Sequence, residues 1–376
     1  MKKLKLLLVL ILLVGCQSPS SLPEDDKKDD EKVSFLAVGD NLMHKQLIDK
    51  AKQGENYEFL PYYSHIQSYI QEADVSFVNQ ETILAGRSRG YTGYPLFNTP
   101  DEMASTLHEL GFDIVNGATN HAFDMGEKGV DHSIQLFKRY QDMKYIGLYQ
   151  SKEDQKQIPV IEKNGIRIAL LSYNQYINYD QKPSSYRYNS FDKEKIKDDV
   201  QRAQKMSDVI VVSCHWGKEY DTQPNDFQKE FAQYLTDLGV DVIIGTHTHT
   251  LQSVEWLEGK DNHKTLVAYS LGNFISGMLE EETQLGGMLI FDFVRENDKV
   301  KIENVTLTPL VNHFYAENQR NIIGTRYGFT VYRLKDYTED LAQKHGVHGY
   351  KNNTISIDKI KEKVNQRISS QIHIDM

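Results

Sequence analysis

The chain has 376 residues, of which 39% are hydrophobic and 26% charged; that balance fits a globular protein and is long enough for one large domain or two ordinary ones. A formal net charge of −10 disfavours non-specific nucleic-acid binding, and no zinc-finger spacing, basic helix or aromatic RNA-binding signature opposes it, so no nucleic-acid partner is expected.

The first residues, "MKKLK", are basic, and Leu6 to Val14 follow as nine consecutive apolar residues. A membrane-spanning helix needs about 20, so residues 1–15 are expected to be a signal peptide. The run ends in Leu13-Val14-Gly15-Cys16, which resembles a bacterial lipobox. That resemblance implies a lipidated Cys16 at the mature N-terminus, holding an exported protein on the outer face of the cytoplasmic membrane. The alternative is an ordinary secretory signal with a chance cysteine. Residues 16–32, polar and densely charged, are expected to be a flexible tether. The other cysteine, Cys214, reads as a small apolar strand residue. Loss of Lys2, Lys3 and Lys5 with the signal takes the charge from −10 to about −13.

From Val33 onward short apolar runs alternate with helical patterns. Strands are expected at 33–39, 75–79, 113–117, 167–173, 208–214, 241–245, 265–272 and 286–294. Between them, "TPDEMASTLHELG" reads as a helix with a Thr99/Glu102 capping box, Pro100 at its first position and Gly111 as terminator. "NDFQKEFAQYLTDLG" puts Phe227, Phe231, Tyr234, Leu235 and Leu238 on one stripe before Gly239. This alternation predicts an α/β fold whose strands are covered on both faces, completed by antiparallel strands within 253–311. The domain is expected over 33–312, with 313–376 an extension of unknown role. Residues 85–100 form a long Gly-rich loop, of a length usually functional or mobile.

Chemistry-bearing residues fall where the expected strands end. Asp40 and His44 follow the first, Asn79 and Glu81 the second, and Asn120, His121 and Asp124 the third. His215 and Glu219 follow "DVIVVSC", and His247 and His249 follow "DVIIG". Singly, each has an ordinary explanation: Asp40 as a helix cap, Glu81 as a solvated charge, Asn120 as a left-handed turn residue, each histidine as a hydrogen-bonded structural residue. Together they converge on the rim where open α/β sheets bind ligands. A buried cluster of carboxylates and imidazoles calls for cations, and mixed oxygen and nitrogen donors without thiolates suit divalent Mn, Fe or Zn. In an extended segment positions i and i+2 point the same way, so His247 and His249 are expected to approach one centre together.

"GDNLMH", "NQET", "NHAFDMG", "HWGKEY", "GTHTHTLQ" and "YSLGNF" resemble, in this order, the CapA family of bacterial capsule proteins linked to poly-γ-glutamate synthesis. That family is similar to the calcineurin-like metallophosphoesterases, so the resemblance implies a metallophosphoesterase-like α/β sandwich with two divalent metal ions. It makes Asp40 a ligand of the first metal, Glu81 the bridging carboxylate, and Asn120 and His215 ligands of the second, with His247 and His249 completing the set. His121 stands at the general-acid position, with Asp124 orienting its ring. The residue two after Asp40, where those enzymes carry histidine, is Leu42, so that ligand is missing or replaced by His44.

Two functions follow. One is a metal-dependent hydrolase or transferase at the cell surface, acting on a phosphoester or a γ-glutamyl polymer. The other is a non-catalytic component of the synthesis and export machinery that binds the polymer or membrane synthase partners. Arg87 and Arg89, with Tyr91 and Tyr94, are candidate contacts for an anionic chain, and Asn273 a candidate to face the site. Trp216 and Glu219 are expected to support His215.

Overall fold

A computed structural model describes residues 31–376; the signal peptide, Cys16 and residues 17–30 of the tether lie outside the described residues. All eight expected strands form. In Lys32–Asn41, alternation sends Val33, Phe35 and Ala37 into one core and Leu36 and Val38 into another, because successive side chains leave a strand on opposite faces.

Two mixed sheets result. In the first, Lys32–Asn41 lies at the centre, parallel to Val75–Gln80 on one side and antiparallel to Leu285–Glu296 on the other. Ile114–Asn116 and Lys144–Ile146 extend the parallel side, and Lys299–Ala316 and Arg326–Arg333 the antiparallel side. The second sheet centres on the parallel strands Ile166–Asn174, Val209–His215, Val242–Thr246 and Lys264–Ala268, with antiparallel Val160–Lys163 and Val254–Glu258 at its edges. One apolar core joins the facing sheets through Phe35, Phe77, Leu170, Val211, Ile244 and Phe291. Helices cover both outer faces, giving the expected α/β sandwich of mixed sheets.

Register sets the site. Asp40 is paired with Asn79 and with Asn273, and Asn79 with Asn116. On the second sheet His215 is paired with Asn174 and Thr246. Both sheets thus present polar residues at the carboxyl ends of their parallel strands. Gly39 permits one close approach: a Cβ there would sit 1.9 Å from the Gly272 carbonyl oxygen, the group that accepts the Asp40 N–H.

Three expectations change. The helix expected at 99–111 begins at Glu102, two residues after Pro100, and has no side-chain cap. Thr99 instead shares a 2.6 Å hydrogen bond with Thr82, a tertiary partner that outcompetes local capping. Gly111 does end this helix, at φ 96°, and Asn225 with Gln228 forms a full capping box on Asp226–Asp237. Trp216 donates to the Tyr269 carbonyl at 2.9 Å, not to His215.

The segment after residue 312 packs on this body: Lys299–Ala316 runs through the 312/313 boundary, and Ile357–Arg367 packs Ile360 and Val364 into the inter-sheet core. Its Arg367 lies 2.5 Å from Glu282 and donates to the Leu251 carbonyl at 3.1 Å. Lys363 contacts Glu281 and Glu282 at 2.6 and 2.7 Å. Next to Glu282, the Thr283 carbonyl accepts from Asn273, whose Oδ1 lies 3.1 Å from His249 Nδ1. Arg367→Ala should therefore cost about 1.5–3 kcal/mol of stability, the scale of hydrogen bonds to a charged group, with Arg367→Lys recovering part. Urea denaturation would measure it; equal midpoints for wild type and Arg367→Ala would mean that this C-terminal strap across Glu281 and Glu282 contributes nothing to stability.

Candidate metal centre

Two groups of three buried donors meet between the sheets, each with donor atoms within 4.8 Å of one another: Asp40, Glu81 and His249, and Glu81, His215 and His247. Glu81 belongs to both. Its two carboxylate oxygens are buried without hydrogen-bond partners, as is His247 Nδ1. Burial, and then the neighbouring Asp40 carboxylate, push the Glu81 pKa well above its ordinary value. Burial likewise pulls His247 down to about 3 and His215 well below the ordinary imidazole range, with the other histidines adding to it. Neutral imidazoles and carboxylates without donors are the state that divalent cations stabilise.

Fixed bonds orient the donors. Asp40 accepts from Asn79 Nδ2 at 2.8 Å and lies 3.1 Å from His249 Nδ1. Asn79 accepts in turn from Asn116, and Asn116 from Ser172 on the other sheet, both at 2.7 Å. His215 Nδ1 is 2.9 Å from Thr246 Oγ1, and its Nε2 is 3.0 Å from Asn120 Oδ1. Thr119 donates to the Glu81 carbonyl at 2.7 Å. Asn116, Ser172 and Thr246 were not singled out from the sequence; their one signal there is being polar near strand ends.

His247 and His249 do not lie on an extended segment. Their φ angles are 94° and 60°, in the left-handed region, and the turn sends one imidazole to each donor group rather than both to one. Backbone strain of this kind persists where its surroundings hold it, and here it aims two ligand candidates.

His121 and Asp124 sit at the edge, on the wall of a cleft of about 750 Å³ whose rim includes Tyr94, Leu96, Tyr179 and Glu219. His121 Nδ1 lies 2.8 Å from Asp124 Oδ2, which also accepts the Phe97 N–H at 2.7 Å. His44 stands apart from both donor groups. Its Nδ1 accepts the Gly277 N–H at 3.1 Å and its ring packs on Phe97; burial, then Arg326, lower its pKa to about 3. Asn273 joins the site through His249. Arg87 turns away, 3.5 Å from Glu55 and 3.7 Å from Glu102, whereas Arg89 lines a cavity beside the cleft.

The family model described as bacterial capsule synthesis protein PGA_cap matches residues 34–278. The chain belongs to this family. Relatives include the capsule biosynthesis protein CapA of Bacillus anthracis, 28% identical over 71% of this chain, and the PGA biosynthesis protein CapA of Bacillus subtilis (strain 168), 27% identical over 71%. The matches span 65% and 69% of those proteins' lengths. Among solved structures, a 5'-nucleotidase from Candida albicans SC5314 aligns with a TM-score of 0.40 at 12% identity, covering 89% of this chain and 56% of that one. For this PGA_cap member, the matched residues contain both donor groups, His121 and Asp124, and stop before the Arg367 strap.

Proposed function

We propose that the protein is a cell-surface hydrolase or transferase of capsule or poly-γ-glutamate biosynthesis, lipid-anchored through Cys16, that acts through two divalent metal ions (Mn, Fe or Zn) on a phosphoester or γ-glutamyl bond. The observation that carries it is Glu81: a fully buried carboxylate, neither oxygen hydrogen-bonded and Oε1 3.5 Å from His249 Nε2, shared by two donor groups that otherwise contain only Asp40 and imidazoles.

Asp40 and His249 would hold one ion, His215 and His247 with the Asn120 amide oxygen the other, and Glu81 both. When bound, such ions supply the Lewis-acid charge needed by a displacement at phosphorus or at a carbonyl carbon. The rest is the work of this chain's own groups. Asp124 accepts the His121 Nδ1–H and balances the charge of the doubly protonated ring, whose Nε2–H can then pass to a leaving oxygen or nitrogen in the cleft. The rings of Tyr176 and Tyr220 lie 5.2 Å from that of His247 and 6.4 Å from that of His249, beside the donor groups.

Elemental analysis of the purified protein tests the reading, with a His247→Ala/His249→Ala variant beside it. About two ions per chain, lost in the variant, are expected; a wild type that takes up no metal on reconstitution would leave the non-catalytic polymer-binding function in the lead.

A further inference from the structure

The cleft at His121 shares two lining residues, Tyr179 and Gln181, with a second, neighbouring cavity of about 430 Å³ whose charged residues are Arg89, Glu127, Lys128 and Lys182. The one acid there is already engaged: Glu127 is 2.8 Å from Arg187 and accepts the Ser184 N–H at 2.7 Å. The three cations have no acidic partner among the described residues. Arg89 donates one guanidinium N–H to the Ala85 carbonyl at 2.8 Å. On a chain of net charge −10 this is a local inversion of sign, next to a first cleft that bears Glu219 and Asp180.

Three single cations from three separate segments, set around one open cavity, suit several spaced charges better than one compact dianion. We propose that this second cavity is a carboxylate subsite: it holds side groups of an anionic polymer while a neighbouring bond of the same chain lies at His121. What happens to that bond rests on the proposed function; the binding itself does not.

The test is anisotropy of a fluorescent γ-glutamate decamer added to the purified full-length protein, with and without chelator, at low and high salt. Arg89→Gln/Lys128→Gln/Lys182→Gln should bind about tenfold or more weakly at low salt, with a flatter salt dependence, as removal of unscreened cations demands. Lys197→Gln/Lys205→Gln, which removes charge elsewhere on the surface, should bind like wild type. A wild type that does not bind the decamer, or a triple variant that binds it as tightly as wild type, would overturn the subsite. Polymer affinity lost in the triple variant while no preparation turns over substrate would sink the catalytic reading and leave the subsite standing. Turnover of the polymer undiminished in the triple variant would do the reverse.

Discussion

Glu81→Gln is expected to lose bound metal and to lower turnover by on the order of 10³-fold or more, since it removes the one charge shared by both donor groups. Stability of the metal-free protein should move the other way. In the fold burial, and then the Asp40 carboxylate, raise the pKa of the Glu81 carboxyl well above its ordinary value. A carboxyl whose folded pKa is raised binds its proton more tightly in the native than in the unfolded state. Its contribution to stability is therefore greatest below the unfolded value and declines as pH rises above about 4.5, by up to about 1.4 kcal/mol per unit. Glutamine has the same shape and no charge to suppress. Metal-free Glu81→Gln should thus melt higher than metal-free wild type at pH 8, and the gap should close toward pH 4.5. With metal added the order should reverse, because only wild type gains from binding. Calorimetric scans at three pH values, with and without chelator, give both comparisons. A metal-free Glu81→Gln less stable than wild type at pH 8 would mean that the carboxylate has a structural partner and is not kept for a cation.

His121→Ala should reduce turnover by about 10²- to 10⁴-fold, the usual range for a positioned general acid, while bound metal stays at the wild-type level. The leaving group supplies the sharper reading. A nitrophenolate leaves without help, so the deficit should be small on nitrophenyl phosphodiesters and large on an alkyl ester or an amide. Asp124→Asn should fall on the same side, because a neutral amide facing Nδ1 no longer balances the charge of the doubly protonated ring. Equal deficits on good and poor leaving groups would remove proton donation from His121 and leave it a binding residue.

Much of the fold, and of where these residues lie in it, was legible in the chain. The eight apolar runs are strands because period-two burial between two layers demands such runs, and the residues just after five of them converge because parallel strands share one carboxyl end. Asp40, Glu81, Asn120, His121, Asp124, His215, His247, His249 and Asn273 all reach the site or its cleft wall. Less was legible for His44. Its place four residues after Asp40 suggested a substitute ligand, but the helix Lys45–Ala51 starts directly behind it and its Nδ1 takes the Gly277 N–H, a partner more than 200 residues distant. Arg87 and Arg89 looked equivalent two residues apart; a short 3₁₀ turn sends one to Glu55 and Glu102 and the other to the cavity.

By itself the sequence determined the strand–helix alternation, the two-sided burial and the identity of the polar residues at the strand ends, because periodicity, turn chemistry and side-chain type are local properties. Only the tertiary structure decided how those residues are shared out. Asp40 and His249 stand 209 residues apart in the chain and 3.1 Å apart in space, and no local pattern encodes the register of one sheet against another. The same holds for the left-handed turn that splits His247 from His249 between two donor groups, and for the C-terminal helix that straps the segment behind Asn273. These arrangements are fixed by close packing between distant segments, where each position is set by all its neighbours at once.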